Sequence, residues 1–132
     1  MPTIIRKSHP AIVEARREVH HSLTWYVRAS VWSPPTDIYE TEEHFVVRVE
    51  IAGVREDDLE VAVEENVLLI KGNRPDMNER RAYHQMEIRF GDFDLAVEIP
   101  VPVDVEGATA EYKSGLLKIQ LPKKQLEQNK VE

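Results

Sequence analysis

HFVVRVEI, residues 44–51, is the stretch that decides the fold. Phe45, Val47, Val49 and Ile51 alternate with Val46, Arg48 and Glu50. A period of two sends one row of side chains to an apolar layer and the other to water, as in a half-buried strand. The same period returns downstream. In LEVAVEE (59–65), Leu59, Val61 and Val63 alternate with Glu60, Ala62 and Glu64, and Glu65-Asn66 makes a tight link into VLLIKG (67–72). FDLAVEIP (93–100) alternates Phe93, Leu95, Val97 and Ile99 against Asp94, Ala96 and Glu98. ATAEYK (108–113) and LLKIQLP (116–122) flank Ser114-Gly115, with Leu117, Ile119 and Leu121 on one face. Between these runs lie the turn at Ala52-Gly53-Val54, a long polar excursion over 73–85 with a short exposed strand predicted near Arg81–His84, and a connector, PVPVDVEGA, whose prolines disfavour a central strand. Seven or eight short strands with no helices between them predict an all-β, antiparallel sandwich or barrel over residues 34–122.

Upstream the period changes. Ile12, Ala15, Val19, Leu23 and Tyr26 recur at intervals of three and four, with Ser8 as a cap and Pro10 in the first turn, so residues 10–27 are predicted helical. Ser33-Pro34-Pro35 ends this arm, residues 1–33, and the polar stretch 123–132 reads as a flexible tail. The arm is apolar on one face yet too short to bury that face alone. Ile12, Val19, Leu23, Trp25, Tyr26 and Trp32 are therefore expected to form a contact surface for other polypeptides, with permanent packing on the chain's own sandwich as the alternative.

Composition narrows the function classes. The chain has 132 residues, 42% hydrophobic and 31% charged, which is enough for one core. Net charge is −7, unevenly spread: residues 1–33 hold five basic groups against Glu14 and Glu18, whereas residues 34–122 hold nine basic and twenty acidic groups. An acidic body argues against nucleic-acid binding, and a basic arm on it suits pairing between identical chains. There is no cysteine, hence no disulfide or thiol chemistry. The opening residues lack a signal-peptide pattern and no run spans a membrane, so a cytoplasmic location is expected. Enzyme chemistry finds no foothold. His20-His21 are adjacent rather than four apart, His44 and His84 fall at exposed strand ends, and no phosphate loop, nucleophile elbow or metal-binding motif occurs. Acidic groups at Glu42-Glu43, Glu56-Asp57-Asp58 and Glu64-Glu65 sit at turns, where they solvate the sheet ends. No catalytic, cofactor or metal residue is expected; a metal-dependent hydrolase is the alternative that metal analysis would test.

Several motifs carry a family resemblance. Ala110-Glu111-Tyr112-Lys113-Ser114-Gly115-Leu116-Leu117, Ile51-Ala52-Gly53-Val54 before an acidic loop, and Arg89-Phe90-Gly91-Asp92-Phe93 resemble the α-crystallin domain of small heat-shock proteins over about ninety residues in order. The resemblance implies an immunoglobulin-like sandwich that is an ATP-independent holdase for unfolding clients. It implies a homodimer formed by strand exchange through the loop 74–86, involving Arg80, Arg81, Ala82, Tyr83, His84 and Arg89. It further implies a groove between the fourth strand and the last, with Val61 and Val63 against Leu117 and Ile119. This chain departs from the family at its tail, KKQLEQNKVE, which has no Ile-x-Ile/Val pair, so a small oligomer is expected; Ile4-Ile5 is an alternative groove ligand. A related co-chaperone sandwich that binds one dedicated native partner is the runner-up.

Overall fold

In the computed structural model of the chain, the described residues are 2–3, 6–7 and 31–125. They form two packed sheets, antiparallel except where β2 joins β5 in parallel. The strands are β1 (Pro2–Thr3), β2 (Arg6–Lys7), β3 (Thr36–Glu40), β4 (His44–Glu50), β5 (Leu59–Glu64), β6 (Val67–Arg74), β7 (Gly91–Glu98), β8 (Thr109–Lys113) and β9 (Leu116–Pro122). One sheet runs β1-β8-β9-β4-β3 and the other β2-β5-β6-β7. The predicted helix over 10–27 lies outside the described residues.

Register explains the core. In the first sheet Phe45 faces Leu121, Val47 faces Ile119 and Val49 faces Leu117. In the second, Val61 pairs with Ile70 and Val63 with Leu68, and Leu68 and Ile70 pair with Val97 and Leu95. Directly opposed residues share a face, so these rows meet between the sheets and are almost fully buried, except for the partly buried Leu95 at their margin. Val46, on the opposite face of β4, is buried as well.

Gly72 sits in the one inward position without a side chain, opposite Phe93. A Cβ there would lie 2.4 Å from Phe93 Cζ and 2.8 Å from the Asp58 carbonyl, so the missing side chain makes room for the ring. At the β8–β9 turn Ser114 and Gly115 both take positive φ, 54° and 80°, the conformation of a two-residue hairpin whose twist matches its strands.

Tyr112 ties this hairpin to the next loop. Its hydroxyl donates to the Ile51 carbonyl at 2.7 Å and accepts from the Val54 N–H at 3.4 Å. Tyr112→Phe leaves both backbone groups without that partner and is expected to cost about 1–3 kcal/mol. The check is a lower urea midpoint with an unchanged slope.

Two expectations change. Strand β3 is an addition to the strands that alternation predicts, because Thr36–Glu40 has no single apolar face; only its pairing with β4 makes it a strand. Conversely, the strand predicted near Arg81–His84 does not form in the chain alone, where these residues have only a bend.

Candidate functional site

The stretch 75–90, between β6 and β7, is exposed throughout. It leaves the sheet at a defined point, since Arg74 and Gly91 are the last paired residues of the β6–β7 ladder. Large exposed apolar side chains gather here: Met77, Tyr83, Met86, Ile88 and Phe90, with only Ile38 and Leu116 elsewhere among the described residues. Contiguous exposed apolar patches on soluble proteins are the ones that other molecules contact, whereas single exposed apolar residues are ordinary.

Arg74 anchors the root of this loop. Its Nε and Nη2 donate to the Arg89 carbonyl and its Nη1 to the Ala52 carbonyl, while the guanidinium stacks 4.7 Å from the Trp32 ring and 5.4 Å from the Phe90 ring. A planar cation can serve flat rings and in-plane acceptors together, which lysine cannot. Around it opens a cavity of about 540 Å³ walled by Trp32, Phe90, Ile88 and Ala52. Arg89, predicted to belong to the exchanging loop, also places its guanidinium 5.9 Å from Trp32. Nothing in the local sequence singled out Arg74, because its partners are far apart in the chain.

Within the loop, Arg81 binds Asp76, Glu79, Met77 and Tyr83. Hydrogen bonding from Arg81 holds the Asp76 carboxyl below its usual range, and the same bond raises Arg81 above its own. Arg80, Ala82 and His84 are exposed beside it.

Strand β3 is the outer strand of its sheet. Ile38 pairs with Val47 and so shares its inward face, yet it stays 51% exposed while Val47 is at 0%. An edge strand lacks a neighbour on one side, and that leaves both its backbone groups and Ile38 available. Arg48 pairs with Asp37 at 2.7 Å on the outer face, an exposed contact that raises the Arg48 pKa.

The groove expected between the fourth strand and the last takes a different form. Val61, Val63, Leu117 and Ile119 all lie in the core, and β9 is flanked by β8 and β4, so it offers no edge. The edges on this side belong to β5 and β8. Both carry the start of the chain: Pro2–Thr3 pairs antiparallel with β8 and Arg6–Lys7 parallel with β5.

Trp32 requires a correction. Expected in the arm as a contact for other polypeptides, it is 6% exposed and belongs to the core. Its backbone bridges Asp92 and Asp94, its indole Nε1 donates to the Gly91 carbonyl at 3.2 Å, and its ring meets Phe93 edge-on at 5.5 Å. Ser33 follows suit, donating to the Asp94 carbonyl at 2.7 Å. The sandwich therefore takes in Trp32 and Ser33. Ile12, Val19, Leu23, Trp25 and Tyr26 lie outside the described residues.

Among the described residues no group of three His, Asp or Glu side chains is placed to hold a metal ion, and no helix is long and apolar enough to cross a membrane.

Comparison with known proteins adds an independent line. The model of the Hsp20/alpha crystallin family matches residues 37–132. Small heat shock protein C4 of Rickettsia felis is 36% identical over 97 residues, covering 72% of this chain and 60% of its own. Heat shock protein 16 of Schizosaccharomyces pombe is 33% identical over 104 residues, covering 74% of this chain and 71% of its own. Among solved structures, hspA from Xanthomonas axonopodis superposes with a TM-score of 0.65 at 32% identity, over 70% of this chain and 95% of that one. A small heat-shock protein from Xylella fastidiosa, described as having a distinct high order structure, gives 0.65 at 31% identity, over 72% and 89%. The chain spans 60% of the length of the Rickettsia felis relative.

Proposed function

The chain belongs to the Hsp20/alpha crystallin family, and from that premise we propose that it is an ATP-independent holdase that binds partly unfolded polypeptides and associates with itself by exchange of the 75–90 loop. One observation carries this reading. The loop holds most of the exposed large apolar side chains, and Arg80–His84 make no backbone–backbone hydrogen bond to any other described residue. A segment whose amides and carbonyls are not used within its own sheet can add as a strand to a sheet edge. The edge at β3 has matching needs: an open outer side and a half-exposed Ile38 on the core face. Exchange would cover both in a second copy. Client capture rests on apolar contact, supplied by the arm residues Ile12, Val19, Leu23, Trp25 and Tyr26. It needs no nucleotide and turns over no substrate.

The test is suppression of aggregation of a heated client without nucleotide, by the full chain and by a chain lacking residues 1–30. That cut retains Trp32 and Ser33, which the sandwich requires. The full chain is expected to keep the client in solution at near-stoichiometric ratios, and the shortened chain to lose most of that protection while remaining folded. Undiminished protection by the shortened chain would remove the arm from the mechanism. Capture of one native partner at fixed stoichiometry, with no growth on heating, would favour an adaptor instead.

A further inference from the structure

Arg81 has an unusual place in the 75–90 loop. A guanidinium has five N–H donors in a rigid fork, and here each donor has an acceptor within residues 76–83. Nε donates to Glu79 Oε2 at 3.0 Å. Nη1 donates to Asp76 Oδ2 at 2.9 Å and to the Tyr83 hydroxyl at 2.6 Å. Nη2 donates to Asp76 Oδ1 at 3.1 Å and to the Met77 carbonyl at 3.0 Å. The Tyr83 ring lies 5.8 Å from the guanidinium carbon. Among the described residues, the segment 76–83 shows one further polar contact, from the Met77 N–H to its neighbour Asp76. The shape of 76–83 therefore rests on one side chain.

Orientation adds a second point. The Arg81 side chain is 24% exposed although the residue as a whole is exposed, so the head is turned into the loop and the backbone outward. With all five donors used inside the loop, Arg81 has none left for another molecule. A loop that is already shaped loses less conformational freedom on docking than a slack one.

We propose that Arg81 is a positioning residue that pre-shapes the 76–83 segment, so that the backbone of Arg80–His84 is presented to the β3 edge of a second copy of this chain. The inference rests on the exchange reading above, and it assigns Arg81 an action through its own loop instead of through contact with the partner. Lysine in its place keeps the charge but has three donors on a tetrahedral head, which cannot span Asp76, Glu79 and Met77 together.

Sedimentation velocity over a dilution series of the full chain tests it, with thermal unfolding as the check on folding. Arg81→Ala and Arg81→Lys are each expected to weaken self-association at least tenfold while leaving in place the unfolding midpoint measured at dilutions where the chain is dissociated. Asp76→Ala is expected to do nearly as much, and Arg81→Ala with Asp76→Ala to be no worse than Arg81→Ala alone, because the two residues act as one unit. Full rescue by lysine, additive losses in the double variant, or an Arg81→Ala chain that associates like the parent would each overturn the proposal. A parent chain that does not associate at all, or that associates equally well with residues 75–90 removed, would instead overturn the exchange reading.

Discussion

Replacing residues 75–90 by Asn-Gly is expected to give a folded monomer. Arg74 and Gly91 are opposed at the end of the β6–β7 ladder, so two residues suffice to join them, and Asn-Gly favours the hairpin turn that suits strand twist. Shortening the connection amounts to about three halvings of loop length, a gain of roughly 2 kcal/mol in closure entropy. Against it stands the loss of the Arg74 bonds to the Arg89 carbonyl and of the Phe90 ring. Stability is thus expected to change little. Association should disappear, because the variant lacks Met77, Tyr83, Met86, Ile88 and Phe90 together with the open backbone between them. Sedimentation at high concentration decides the matter, and a variant that sediments like its parent would remove the loop from the interface.

Trp32→Ala is expected to be the most damaging single truncation described here, at about 3–5 kcal/mol. The indole fills the end of the core beside Phe93, donates to the Gly91 carbonyl and forms the floor on which Arg74 stacks. Its removal leaves a cavity, an unpaired carbonyl and an unsupported cation at one point. For a domain of ordinary stability this is a large fraction of the whole. Urea unfolding at fixed protein concentration measures it. Trp32→Phe should recover much of the apolar loss but not the bond to Gly91, and a loss below about 1 kcal/mol for the alanine variant would place Trp32 outside the core.

These two expectations differ in how far the sequence alone foresees them. The loop is legible: polar residues with a proline, set between the apolar run 67–72 and the alternating run 93–100, stand out in one dimension. What shapes it is not. Arg81 reads in sequence as one of several loop cations, alike with Arg80, until the fork is seen to reach Asp76, Glu79 and Met77. Trp32 was misplaced for a related reason. It lies two residues before the Pro-Pro break and so joins the arm by proximity, whereas its partner, the Gly91 carbonyl, is fifty-nine positions away.

What the sequence determined by itself is the pair of facing apolar rows. Period-two alternation appears wherever one face of a strand is buried and the other wet, so β4, β5, β7 and β9 and their core residues can be read directly from 44–51, 59–65, 93–100 and 116–122. Tertiary structure alone decided which strands lie at the edges, and with them the surfaces open to other chains. Strand β3 is a strand only through its pairing with β4 at a sheet edge, β9 offers no edge because β8 and β4 flank it, and Gly72 is bare because Phe93 needs the space. Alternation records only whether a face is dry; sheet order and the contacts of Trp32, Arg74 and Arg81 depend on residues brought together by the fold, and these leave no local periodic trace.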